Sequence, residues 1–332
     1  MRLLAVCAVT HPGGAEVGLL RLLDRRQGWS VTLATPGDGP LREAARGRGW
    51  PTATLALGGL QRGAGARALL AMPAARRLAA RHDVTYLNGT VAGRLLPALR
   101  GRRTVLHVHD MVERVPRFWR GASLVLADSR AVAERLRGLR AQVVGCPVEL
   151  DPPPLAPPWP PGEDPVVGFV GRLEPRKGPD VLAAAAPRLR EAGARVVLIG
   201  DDPFAEDDGY ARRVAAAPGV EHVPWVEGAA GLMAHLSVLV LPSRREPFGT
   251  VLAEAMAAGT PVVASRVDGL PEVVDDGVTG RLVAPDDPAA LAEAVLEVLA
   301  QRDRMGAAAR EAARRWDADA YAERVGALVD GA

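Results

Sequence analysis

Lysine is almost missing from this chain of 332 residues: of its 41 basic residues only Lys177 is a lysine. Asparagine occurs once, as Asn88. A chain that keeps a single copy of a residue type has a reason to look for at that position. Cysteine is scarce as well. Cys7 and Cys146 both fall in strand-like runs, which reads as two buried thiols and argues against a disulfide framework or a cysteine metal site. Aromatic residues make up 4% of the chain and no basic stripe is interleaved with them, which sets nucleic-acid binding aside. No apolar run reaches the roughly 18 residues that would span a bilayer. The opening "MRLLAVCAVTHPGG" lacks the longer apolar core and small-residue cleavage site of a signal peptide, so the expected location is the cytoplasm. No G-x-G-x-x-G follows the first strand of either half, which speaks against a dinucleotide-dependent dehydrogenase.

What is present is an alternation. Val/Leu-rich runs such as "LLAVCAV", "SVTLAT", "VTYLNG", "TVLHVH" and "SLVLAD" are separated by stretches of helical length, among them "GARALLAMPAARRLAARH", with Pro73 as a kink. The second half repeats the rhythm with "PVVGFVG", "ARVVLIG", "EHVPWV", "SVLVLPS", "TPVVAS" and "GRLVAP". Continuous apolar strands alternating with helices predict parallel sheets covered on both faces. Between the halves lies "CPVELDPPPLAPPWPPGEDP", too rich in proline for helix or central strand. The expected organisation is therefore α/β: a Rossmann-like domain over 1–148, a Pro-rich linker over 149–165, a second Rossmann-like domain over 166–302, and C-terminal helices over 303–332 that can pack back on the first domain. Two such doubly wound domains would face each other across a central cleft, with ligands outside the carboxyl ends of the strands.

Charge divides unevenly. Residues 1–150 carry 23 arginines against 10 acidic residues, +13, while the remainder is at −11. The basic half either attracts an anionic acceptor or a membrane surface, or simply complements the acidic half.

Two segments carry chemistry. In "EPFGTVLAEAMAAGTPVVAS" a strand ends, Glu246-Pro247-Phe248-Gly249 turns, and a helix starts near Thr250 and stops at Gly259. That turn brings backbone N–H groups and a helix N-terminus to a strand end, a ready anion site. Glu254 sits in the first turn or so of this helix, among Val, Leu, Ala and Met. It either complements the helix dipole or, being buried, accepts hydrogen bonds from ligand hydroxyls such as a ribose diol. Glu246 would meet a second part of the same ligand. In "GFVGRLEPRKG", Arg172 and Lys177 bracket a loop at a strand end and suit a diphosphate, with Arg176 facing solvent. Asp201, in "LIGDD", follows another strand and is counted with the expected donor-binding residues.

In order and spacing, "GRLEPRKG", "LIGDD", "LPSRREPFGTVLAEAMAAGTPVVAS" and "GLPEVVDDGVTGRLV" resemble the C-terminal domain of the family 4 retaining glycosyltransferases. "GGAE", "HVHD" and "ADSRAVAERL" resemble its N-terminal domain more weakly. The resemblance implies the two-domain GT-B fold and transfer of a hexosyl group from a nucleotide diphosphate sugar, UDP-sugar first, with retention and without metal or cofactor. By residue, it implies that Arg172 and Lys177 hold the donor diphosphate, Glu254 the ribose and Glu246 the donor sugar. The Phe248-Gly249-Thr250 backbone would approach sugar and phosphate. Gly13 and Gly14 either let the backbone approach a phosphate or make an ordinary turn. His109 would line the cleft near the reacting sugar, and Asn88 would meet acceptor or donor sugar. Pro224 stands where many relatives have glycine, which leaves the nucleobase open. An epimerase on the same fold, or a non-catalytic nucleotide-sugar binder, is the alternative. The acceptor is an unassigned hydroxyl, with an anionic acceptor and peripheral contact with the inner face of the membrane as the options the basic half allows.

Overall fold

A computed structural model describes residues 1–57, 64–160, 162–201 and 209–332. Asp202 of the "LIGDD" stretch lies outside them. The chain forms two compact units, Met1–Pro147 with Ala318–Ala332, and Val148–Asp317.

The first unit runs β1 (Arg2–Cys7), α1 (Gly14–Arg25), β2 (Ser30–Thr35), α2 (Pro40–Gly47), β3 (Thr52–Thr54), α3 (Ala64–Ala79), β4 (Val84–Asn88), β5 (Thr104–Val108), β6 (Leu124–Ala127), α4 (Arg130–Arg135) and β7 (Ala141–Val143). Its seven parallel strands lie in the order β3-β2-β1-β4-β5-β6-β7. β4 and β5 are buried along their whole length, as expected of central strands covered on both faces. One apolar cluster holds Leu3, Leu19, Leu22, Leu33 and Tyr86; another holds Leu4, Leu57, Leu95, Leu106 and Trp119.

The second unit runs β8 (Val166–Val170), α5 (Pro179–Glu191), β9 (Arg195–Ile199), α6 (Gly209–Ala215), β10 (Val220–Val223), β11 (Val238–Leu241), α7 (Thr250–Ala257), β12 (Val262–Ser265), α8 (Leu270–Val273), β13 (Gly280–Val283), α9 (Pro288–Ala300) and α10 (Arg302–Ala313). Its sheet order is β10-β9-β8-β11-β12-β13. The order matches that of the first sheet strand for strand, except that the first sheet has a seventh strand, β7, beyond β6. In each the order reverses once, between β1 and β4 and between β8 and β11, and doubly wound sheets bind ligands at that reversal.

Two expectations are corrected. The proline-rich stretch does not hang between domains; it lies on the second unit. Leu155 N–H donates to Gly231 O (3.1 Å), Arg195 donates to Pro160 O (2.8 Å), and Trp159 is buried. Proline leaves the backbone extended, but it does not prevent a tryptophan and several carbonyls from packing. The 303–332 helices, expected to pack back on the first domain, do so only in their last part. α10 stays on the second unit, so close to α7 that a Cβ on Gly306 would stand 2.3 Å from Gly259 O. Only α11 (Ala318–Asp330) joins the first unit, where Tyr321 and Val325 enter the core. Arg25 pairs with Asp319, Arg26 with Asp330, and Trp29 Nε1 donates to Asp330 (2.9 Å).

Candidate functional site

The first cluster follows from strand register. Cys7 pairs with Asn88 and Asn88 with His107 across β1, β4 and β5. Val108 pairs with Ala127, so His109 and Asp128 are the first residues past two adjacent strand ends. Their side chains meet: His109 Nδ1 lies 2.9 Å from Asp128 Oδ2. His109 Nε2 lies 3.0 Å from Asn88 Oδ1, Asn88 Nδ2 donates to Glu16 Oε1 (3.1 Å), and Glu16 Oε2 accepts the Gly13 N–H (3.0 Å). The Glu16 carboxylate fixes the orientation of the Asn88 amide, which turns its oxygen to His109. Both imidazole nitrogens of His109 therefore face acceptors, the arrangement of a doubly protonated ring.

The electrostatics agree. Burial works against a charge on His109, but the Asp128 carboxylate, with Glu16 and Asp110 behind it, raises its pKa above the ordinary value. Burial and the charge on His109 lower His107 to about 4. Burial alone would raise Asp128; the His109 charge and the two imidazole contacts hold it well below the usual carboxylate range. His107 Nδ1 is 2.6 Å from Tyr86 Oη, and its Nε2 is 2.9 Å from Asp128 Oδ1 without hydrogen-bond geometry. Among the described residues, His107, His109 and Asp128 form a set of metal-ligand type, with donor atoms within 4.8 Å of one another. His109 and Asp128 are already committed to each other, and the set reads as a polar chain that fixes the orientation of His109. Gly13 caps α1 with ordinary extended geometry, and the space where a Cβ of Gly14 would stand is open.

The second cluster stands at the β8/β11 reversal. Lys177 Nζ donates to Glu246 Oε2, and the Ser243 hydroxyl donates to the same oxygen (3.3 Å). Glu246 is 6% exposed, so this is a buried carboxylate with its cation beside it. Gly249 starts α7 at φ +87, and a Cβ there would stand 2.5 Å from Leu270 Cδ2. Only glycine fits that corner. No acidic side chain lies in the first turn of α7 and no side chain caps it, so the positive end of the helix is open to an anion.

Several readings shift. Glu254 stands in the second turn of α7, not the first, and is half-buried; Glu246 is the more buried of the two acids. Phe248 turns inward against Trp316, ring centroids 5.7 Å apart, leaving its backbone as the part a ligand could meet. Arg172 pairs with Glu174 (3.1 Å). Arg176 is no mere solvent-facing charge: it shares Glu174 (2.7 Å) and donates to Arg245 O (3.2 Å). The Asp201 carboxylate accepts the Trp225 N–H (2.8 Å), which ties the end of β9 to the end of β10. A cavity of about 500 Å³ beside Arg302 and Arg310 lies at the opposite ends of β11 and β12, away from these side chains.

A family model described as Glycosyltransferase Family 4 matches residues 12–152, and one described as Glycosyl transferases group 1 matches 164–301. The chain belongs to the family 4 glycosyltransferases. This family 4 chain is 40% identical over 180 residues to a D-inositol 3-phosphate glycosyltransferase of Xylanimonas cellulosilytica, 49% of this chain and 42% of the relative. It is 40% identical over 177 residues to a GDP-mannose-dependent alpha-(1-6)-phosphatidylinositol monomannoside mannosyltransferase of Mycobacterium tuberculosis, 47% of this chain and 45% of the relative. The matched stretch thus spans less than half the length of those relatives. In fold, the family 4 chain resembles Anabaena HepE in complex with UDP and glucose, with a TM-score of 0.84 at 23% identity over the whole of both chains. Sucrose-phosphate synthase from Thermosynechococcus elongatus gives 0.82 at 23%, covering 99% of this chain and 98% of the other.

The structure brings Lys177 and Glu246 together, and separately His109, Asn88 and Gly13. Sequence reasoning missed Glu16 and Asp128 as working members. The signal for Asp128 was its place directly after the last residue of β6, as His109 directly follows β5.

Proposed function

We propose that the protein transfers a hexosyl group from a nucleoside diphosphate sugar, UDP-sugar first, to an acceptor hydroxyl, with retention and without a metal. The pairing of the only lysine with a buried glutamate, beside the open N-terminus of α7, carries the reading. Arg172, Lys177 and the α7 N-terminus meet the charge that develops on the departing diphosphate. Glu254 takes the ribose hydroxyls and Glu246 the sugar. The acceptor oxygen attacks the anomeric carbon on the face the diphosphate leaves, and its proton passes to the leaving phosphate oxygen. His109 and Asn88 are assigned to sugar or acceptor hydroxyls. His109 has both ring nitrogens held against acceptors, Asp128 and the Asn88 side-chain oxygen, so it is assigned an orienting role and not that of general base. The product would be a bacterial glycoconjugate or natural product.

The test is thermal stabilisation by UDP, GDP, ADP and TDP in EDTA. A ligand at 100 times its dissociation constant adds about 2.7 kcal/mol. One nucleotide should stabilise the wild type and lose its effect in Lys177→Ala and Glu254→Ala. Indifference to all four would sink the donor assignment.

The acceptor side gains a second proposal, peripheral contact with an anionic bilayer. No helix among the described residues is long and apolar enough to cross a membrane. On α3, however, Leu69 and Leu70 are 63% and 82% exposed, and Arg76, Arg77 and, just past the helix, Arg81 follow on the outward side. Apolar tips with cations behind them fit the interface of an anionic leaflet. The protein should float with phosphatidylglycerol-containing vesicles and not with phosphatidylcholine alone. Leu69→Ser with Leu70→Ser, or 0.5 M salt, should release most of it; equal binding to neutral vesicles would rule the contact out.

A further inference from the structure

The loop Ser243–Glu246 is held from three sides. Among the described residues only two that are not glycine have left-handed backbone, Asp268 (φ +44) and Asp286 (φ +59). One follows β12, the other follows β13, and both carboxylates reach back to this loop. Asp268 Oδ2 accepts the Glu246 N–H (3.0 Å), and Gly269 N–H donates to Glu246 O (3.0 Å). Asp286 Oδ1 accepts Arg244 Nε (2.7 Å). Backbone held in the left-handed region by a non-glycine residue costs energy, and such strain concentrates where geometry matters.

Arg244 is the hub. Its fork closes on Asp180 at 2.9 and 2.7 Å, and the same carboxylate receives the Tyr210 hydroxyl at 2.5 Å. Nη1 also donates to Pro175 O (2.6 Å), and the Arg244 N–H donates to Arg176 O (2.9 Å). Pro175 and Arg176 are the residues just before Lys177. The guanidinium therefore spans the loop that carries Glu246, the turn that carries Lys177 and the first turn of α5. A lysine could not replace it, because a planar fork with several fixed donors is what this geometry uses. Gly178 closes the same turn so tightly that a Cβ would stand 2.1 Å from Pro242 O.

We propose that Arg244 is a positioning residue that sets Lys177 against Glu246, acting through Pro175, Arg176, Asp180 and Asp286 without touching the donor. The kinetic half of its test rests on the nucleotide-sugar reading above; the spectroscopic half does not. With a single lysine in the chain, lysine labelled at Cε and Nζ reports Lys177 alone. Arg244→Gln and the milder Asp286→Asn should both shift or broaden that signal in the folded protein without nucleotide, whereas Arg94→Gln in the first unit should not. An unchanged Lys177 signal in a folded Arg244→Gln protein would overturn the proposal.

In turnover, Arg244→Gln should lower kcat by about 10–100-fold with donor KM within about threefold. In a Lys177→Ala background it should cost little more, because residues acting through one another are not additive. A full independent loss in that background would also overturn the proposal, since Arg244 would then be acting elsewhere. If the lysine signal moves and no donor is turned over by the wild type, the functional reading fails and the positioning role stands.

Discussion

Lys177→Ala should lower kcat/KM for the donor by about 10²–10³, the usual loss when one donor to a developing oxyanion is removed. The loss should fall mainly on kcat, because the leaving diphosphate carries more charge in the transition state than in the bound sugar nucleotide. The same change leaves Glu246 buried without its cation, at a cost of about 3 kcal/mol or more to the second unit. Adding Glu246→Gln should return part of that stability and none of the activity. Steady-state kinetics with urea midpoints of the single and double variants separate the two effects. Recovery of activity in the double variant would mean that Lys177 acts only by neutralising Glu246.

The largest stability effect is expected at Asp128. Asp128→Ala removes the buried carboxylate that holds His109 and leaves a fixed set of donors facing no charge, a loss of about 3–5 kcal/mol in the first unit. Its pH dependence has a defined sign. In the wild type His107 titrates at about 4 when folded, below its ordinary value. The unfolded chain therefore binds the extra proton between pH 6.5 and 4, and stability falls by roughly 3 kcal/mol as pH drops through that window. The depressed Asp128 adds a further loss below about pH 4. His109 is raised, so its contribution is complete below about pH 6.5 and disappears as pH rises through the folded value. Stability of the first unit should therefore peak near neutrality, and in Asp128→Ala the alkaline decline should flatten. Urea midpoints from pH 4 to 9 check this; an alkaline decline that persists unchanged in the variant would detach His109 from Asp128.

The alternation of strands and helices was legible because continuous Val/Leu runs survive any local context. β7 was not, since Ala141-Gln142-Val143 is short and half polar and earns its place only by pairing with β6. The burial of Glu254 was misread for a related reason. Thr250, Val251, Glu254 and Ala258 form one half-exposed stripe of α7, but valine and alanine do not mark a stripe as outward-facing in sequence. Lys177 and Glu246 were found from their rarity and setting. Asp128, Glu16 and Arg244 were missed because their partners lie 19, 72 and up to 69 residues away, distances that only the sheet order closes.

α11 has a consequence for the order of events during synthesis. The first unit starts the chain, yet it lacks a core helix until Ala318–Asp330 have left the ribosome. The second unit has all of its own elements by Asp317. The unit translated first is thus the one completed last, and until then it presents to the cell the groove beside α1 that Tyr321 and Val325 will fill.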